Sequence, residues 1–150
     1  MPTILHFADA HIDIATYGKR DPDSGLPLRA LDFLRSLDDI VDTALQEEVD
    51  CVLFAGDAYK DRNPSPTYQR EWEKRIMRLS RGGIPTLLLV GSQDISPAAG
   101  QAHALEEFFT LQVPHVRVLD QPALLSAPAL AELCPVDREL HLQVLALPWV

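Results

Sequence analysis

At 150 residues, 47% hydrophobic and 23% charged, the chain has enough apolar material for one core and is of single-domain size. Nothing in it approaches the roughly 18 consecutive apolar residues of a membrane span. Asp9 interrupts the N-terminal apolar stretch before it could act as a signal peptide, so a cytoplasmic protein with no membrane partner is expected. A formal charge of −9 repels a polyanion if spread evenly, so nucleic-acid binding requires a local basic patch or metal ions that invert the field.

Thr3 to Ala8 reads as a short buried strand, with His6 expected in the core or between strands, and it runs into Asp9-Ala10-His11. The segment from Asp13 to Pro27 is turn-rich and polar, a loop next to that first pair. Leu28 to Glu48 has helical period, with Leu28, Leu31, Leu34, Leu37, Val41 and Ala44 on one stripe. Asp50 to Ala55 is the next strand and leads to Gly56-Asp57.

The spacing then predicts a helix over Tyr68 to Arg81, stopped by Gly82-Gly83 and by Pro85. Arg70, Lys74, Arg78 and Arg81 share one face of it, while Trp72, Ile76 and Leu79 fall opposite. The basic face reads either as a nucleic-acid-contacting stripe or as ordinary solvated surface. Thr86 to Val90 is the third strand, ending at Gly91-Ser92-Gln93-Asp94. A helix from about Gln101 to Phe109, carrying His103, and a strand from His115 to Leu119 follow.

Alternation of strands and helices argues for an α/β fold with a mostly parallel sheet flanked by helices. Beyond this the rhythm breaks, because five of twelve prolines lie between Pro114 and Pro148. An apolar strand over Leu142 to Leu147, just after His141, is expected to expose an edge that needs a partner. Residues 1–150 are accordingly expected to form one N-terminal unit that is cut short. Cys51 and Cys134 make no metal or redox spacing and read as incidental thiols.

The chemistry concentrates at three strand tips, where loops of an α/β sheet converge on one crevice. Asp9 and His11, two apart at the end of a strand, offer a carboxylate oxygen and an imidazole nitrogen to one ion. Gly56 lets the chain turn sharply and swing the Asp57 carboxylate inward, where it could bridge two divalent ions. Two ions about 3.5 to 4 Å apart activate water, hold a phosphate and stabilise a leaving oxygen, the logic of phosphoester hydrolysis. The bland alternative is that Asp9, Asp57 and Asp94 merely cap helices.

Asp9-x-His11, Gly56-Asp57 and Gly91-x-x-Asp94, in that order, resemble the first three motifs of the calcineurin-like metallophosphoesterases. The stretches Phe7 to Asp13, Phe54 to Arg62 and Gly83 to Gly91 resemble, more narrowly, the SbcD-type nuclease subunits of that family. The resemblance runs from about residue 3 to residue 120. It implies the first half of a two-sheet sandwich, with Asp9 and His11 on one metal, manganese with magnesium as the alternative, and Asp57 bridging to a second. The family carries Asn-His where this chain has Ser92 and Gln93. Ser92 is thus a weak metal donor, Gln93 cannot transfer a proton, and Asp94 is left as an orienting group. Three further family histidines fall outside this sequence.

What the resemblance implies about function is a manganese-dependent DNA exonuclease and endonuclease subunit for double-strand-break repair, partnered by DNA and an SbcC-type ATPase. A homodimer is the family's assembly. Two alternatives stand beside it, a relative without turnover that binds DNA or a partner, and a small-molecule phosphoesterase.

Overall fold

Four short strands lie side by side in chain order: β1 (Ile4–Phe7), β2 (Cys51–Phe54), β3 (Thr86–Leu89) and β4 (Val116–Leu119), every pairing parallel. The computed structural model describes residues 1–12, 18–96, 102–135 and 141–149. Parallel neighbours need a crossover, and α1 (Leu28–Gln46), α2 (Pro66–Arg81) and the short α3 (Glu106–Thr110) supply them. The expected α/β architecture is therefore the observed one.

Side chains alternate across each strand, so the sheet has two different faces. On the first, Val52, Phe54 and Leu88 pack beneath Leu34, Leu37 and Val41 of α1 and Trp72, Ile76 and Leu79 of α2. Phe54 and Trp72 stack at 4.8 Å and Phe7 and Phe54 at 5.0 Å between ring centroids. On the second face, Cys51, Leu87 and Leu119 pack against Leu125, Leu130 and Ala146, which come from the C-terminal quarter.

That quarter departs from the expectation of an unpartnered edge. Residues Val144–Ala146 form β6, antiparallel to β5 (Ala123–Leu125), and α4 (Ala127–Ala131) follows β5 directly. The apolar C-terminal stretch thus pairs within the chain and covers the second face of the sheet. Neither β5 nor α4 is legible beforehand, because three-residue and five-residue elements are shorter than the windows on which periodicity is read.

Other local expectations shift. Leu28 sits at the first helical position with its side chain exposed, and Ala30 replaces it in the buried stripe. His6 is exposed on the second face of β1, the edge strand of the sheet, not in the core, and lines an open gap between the sheet and Val144 to Leu147. The third helix begins at Glu106, so His103 precedes it, its Nδ1 3.3 Å from the Leu105 N–H; Gln101 lies outside the described residues, as do residues 13–17 of the first loop.

Burial pushes the Cys51 thiol up to about 12, and the two cysteines are free thiols. No helix among the described residues is long and apolar enough to cross a membrane.

Candidate metal centre

Pairing between the first two strands continues past their ends. Beyond the Phe7–Phe54 register pair, Asp9 N–H donates to Gly56 O at 3.0 Å, His11 N–H to Asp57 O at 3.1 Å, and Ile12 N–H to Ala58 O at 3.0 Å. The two exit loops are thereby laced together, which sets Asp9 and His11 beside Asp57. Lacing them in this way forces unusual backbone. Asp9 (φ 55°), His11 (φ 41°) and Asp57 (φ 64°) all occupy the left-handed region, which a side chain with Cβ adopts at a cost of about 1–3 kcal/mol.

The strain is held in place by Asp94. Its carboxylate is fully buried and accepts three backbone N–H groups, from Asp57 and Gly91 at one oxygen and Ala58 at the other, each at 2.9 Å. Burial raises its pKa above the ordinary carboxylate value, outweighing the opposing pull of those three bonds. Asp94 is a knot between the tips of β2 and β3, and it turns no oxygen toward Asp9 or His11. Gly56 (φ 100°) passes so close to Gly91 that a Cβ on it would stand 2.7 Å from the Gly91 Cα.

Within this frame one ligand atom each from Asp9, His11 and Asp57 lies within 4.8 Å of the others. His11 Nε2 is 3.3 Å from Asp9 Oδ1, while its buried Nδ1 has no hydrogen-bond partner among the described residues. Two carboxylates and an imidazole converging on one point fit a divalent ion such as manganese, iron or zinc. Asp57 is oriented by the Gln93 N–H, which donates to Oδ1 at 2.8 Å, and the Ser92 hydroxyl stands 3.5 Å from the same oxygen. Asp57 and the Ser92 hydroxyl beside it are by themselves too small a donor set to hold a second ion.

Sequence reasoning thus places Asp9, His11, Asp57, Ser92 and Asp94 at one locus, and the structure gathers them there. It did not foresee that Gln93 contributes through its backbone or that Gly91 makes room for Asp57, since neither property depends on a side chain. The remaining histidines stand elsewhere. His115 Nδ1 meets Leu133 O at 2.7 Å at the opposite end of the sheet, His141 is exposed ahead of β6, and His103 and His6 are placed as described above.

The basic face of α2 is largely engaged with acids. Arg70 and Lys74 each lie 2.9 Å from Glu71 Oε1, and Arg78 pairs with Asp38 and Asp42 of α1. Because α2 runs back from the strand tips for 16 residues, roughly 24 Å, Arg78 and Arg81 lie at the end remote from the metal ligands.

The chain is 34% identical over 101 residues to the DNA double-strand break repair protein Mre11 of Haloferax volcanii, covering 67% of this chain and 21% of that protein. The Halobacterium salinarum Mre11 is 30% identical over 129 residues, 86% of this chain and 30% of its own length. A Bacillus subtilis relative described as an uncharacterized metallophosphoesterase, YhaO, is 31% identical over 93 residues, 61% of this chain and 25% of that protein. The chain therefore spans less than a third of the length of these relatives. The calcineurin-like phosphoesterase profile matches residues 2–126, which takes in all three strand tips, and the chain belongs to that family.

Proposed function

We propose that this chain carries the metal-binding part of a DNA phosphodiesterase of the SbcD and Mre11 type, acting in double-strand-break repair. The observation that carries the reading is the convergence of Asp9, His11 and Asp57 at strained strand tips within a fold of the phosphoesterase family. Its relatives named for DNA double-strand break repair support DNA over a small phosphoester as substrate.

In this reading Asp9, His11 and Asp57 hold manganese, with magnesium as the alternative, and Ser92 is a weak additional donor. The bound ion supplies Lewis acidity toward a phosphate oxygen and lowers the pKa of a water. Asp57 is pre-aimed by the Gln93 N–H, and Asp94 keeps both loops in register without touching substrate. An SbcC-type ATPase partner, a homodimeric assembly and a cytoplasmic setting complete the proposal.

One observation favours a second reading, binding without turnover. At the position where the family's acid-base histidine stands there is Gln93, whose amide neither gives nor takes a proton near neutral pH. A titration with manganese followed by calorimetry tests the shared part of both readings. Heat of binding in the unaltered chain, with affinity at least tenfold weaker in Asp57→Asn, is the expected result. The asparagine retains an oxygen for the Gln93 N–H, so the loops stay in place. Equal binding by the two proteins, or none by either, would remove the metal centre. Manganese-dependent cleavage of a linear duplex then separates the nuclease from the non-hydrolytic relative.

A further inference from the structure

A cleft of about 360 Å³ opens between the start of α1 and the start of α2, with Arg20, Ser24, Ser65, Thr67 and Arg70 in its wall. Among the described residues no carboxylate lines it, in a chain whose net charge is −9. Two neighbouring acids are already engaged. Asp21 Oδ2 accepts the Ser24 N–H at 2.8 Å and the Ser24 hydroxyl at 2.7 Å, while Glu71 accepts from Arg70, Lys74 and Arg75.

Each arginine is held in place yet keeps donors to spare. Arg20 gives one guanidinium nitrogen to Gly25 O at 3.0 Å, and Arg70 engages Glu71 through Nε and Nη2. Their other guanidinium N–H groups, and the hydroxyls of Ser65 and Thr67, have no hydrogen-bond partner among the described residues.

Two guanidinium groups and hydroxyl donors lining one cleft suit the oxygens of a phosphate, and Arg is the side chain that binds phosphate in forked, directional fashion. The location narrows the ligand further. The walls of the cleft are the β1–α1 loop, the end of the β2–α2 loop and the first turns of α2, at the end of the sheet where those loops also carry Asp9, His11 and Asp57. A polymer of phosphodiesters lying across that end of the sheet meets both the metal ligands and the cleft.

We propose that the cleft is a phosphodiester subsite in which Arg20 and Arg70 grip a DNA backbone phosphate neighbouring the one at the metal centre. This rests on the DNA reading above, and it moves the nucleic-acid contact from the length of the α2 face to that helix's first turns. Arg20, Ser65 and Thr67 join Arg70 there, and Arg78 and Arg81 take no part. Ser65 and Thr67 act as neutral donors that fix the phosphate's position.

The test is the salt dependence of duplex oligonucleotide binding, measured by fluorescence anisotropy with EDTA present so that metal-mediated binding is silent. Losing one phosphate contact lowers the slope of log affinity against log salt by about one. Arg20→Gln/Arg70→Gln is expected to show that drop, and Arg81→Gln to keep the slope of the unaltered chain. Arg20→Gln alone, in a loop outside the core, is expected to show part of it and guards against misfolding of the double variant. An unchanged slope in the double variant, or an equal drop in Arg81→Gln, overturns the proposal while leaving DNA binding established. Absence of DNA binding by the unaltered chain overturns it together with the DNA reading, and the manganese titration then stands as the separate account of the metal centre.

Discussion

Asp9, His11 and Asp57 each spend backbone energy to be where they are. Three left-handed residues with full side chains represent strain that survives only because the Asp94 bonds and the laced exit loops over-determine their positions. The two glycines are the space that this arrangement needs. A Cβ on Gly91 would collide with the Asp57 carboxylate and stand 2.5 Å from the Asp57 N, backbone that cannot move without breaking the Asp94 knot. Gly91→Ala should therefore cost about 1–3 kcal/mol in urea denaturation and weaken manganese binding together. A variant of unchanged stability and affinity would show that the tips are slack. Gly56-Asp57 is legible in sequence as a turn that presents a carboxylate. The need for Gly91 is not, because a close approach between two loops 35 residues apart is visible only once the strands pair.

Among the elements, α2 shows both what periodicity can read and what it misses. Trp72, Ile76 and Leu79 fall on the buried face as their spacing demands. Glu71 and Arg75 are buried as well, because Arg75 reaches Asp38 at 2.6 Å and Leu34 O at 3.2 Å on α1, a contact that no single helix announces. The docking of α3 carries a titratable feature of the same kind. Glu107 is pushed up to about 7, first by burial and then by the Glu73 charge on α2, with Tyr59 also close enough to feel it. The folded protein binds this proton more tightly than the unfolded chain, whose glutamate titrates near 4.5. The contribution of this group to stability therefore declines as pH rises from about 4.5 to about 7 and stays lost above that. Glu107→Gln removes the repulsion, so it should be more stable than the unaltered chain at pH 8 and show a flatter profile between pH 5 and pH 8. Urea midpoints at those two values check this, and parallel profiles for the two proteins would sink it.

At the scale of the molecule the sheet is clad by two unequal layers. Helices α1 and α2 cover one face with a continuous core, and the antiparallel pair of β5 and β6 with α4 covers part of the other. Leu130, fully buried in α4, is the largest hydrophobic peg of that second layer that no solvent reaches. Leu130→Ala should cost about 2–5 kcal/mol in urea denaturation while manganese affinity stays within twofold, because Leu130 packs in the second-face cluster, to which none of the metal ligands belongs. Loss of metal binding in this variant would show that the two layers are energetically one.

The sequence by itself determined the alternation of the four parallel strands with α1, α2 and α3, the three motif-bearing tips and the family, because each of these is written in local patterns. A run of alternating or helical apolar residues needs no knowledge of distant partners, and a ligand at the end of a strand is placed by the strand. What only the tertiary structure decided depends on which segments meet. The Asp94 knot, the Gly56–Gly91 approach, the pairing of β6 with β5 and the convergence of Arg20 with Arg70 all join residues far apart in the chain. The contacts at the strand tips arise from the parallel stacking of β1 to β4, which carries every strand-to-helix loop to the same end of the sheet, whereas β5 and β6 meet by antiparallel pairing across a long separation.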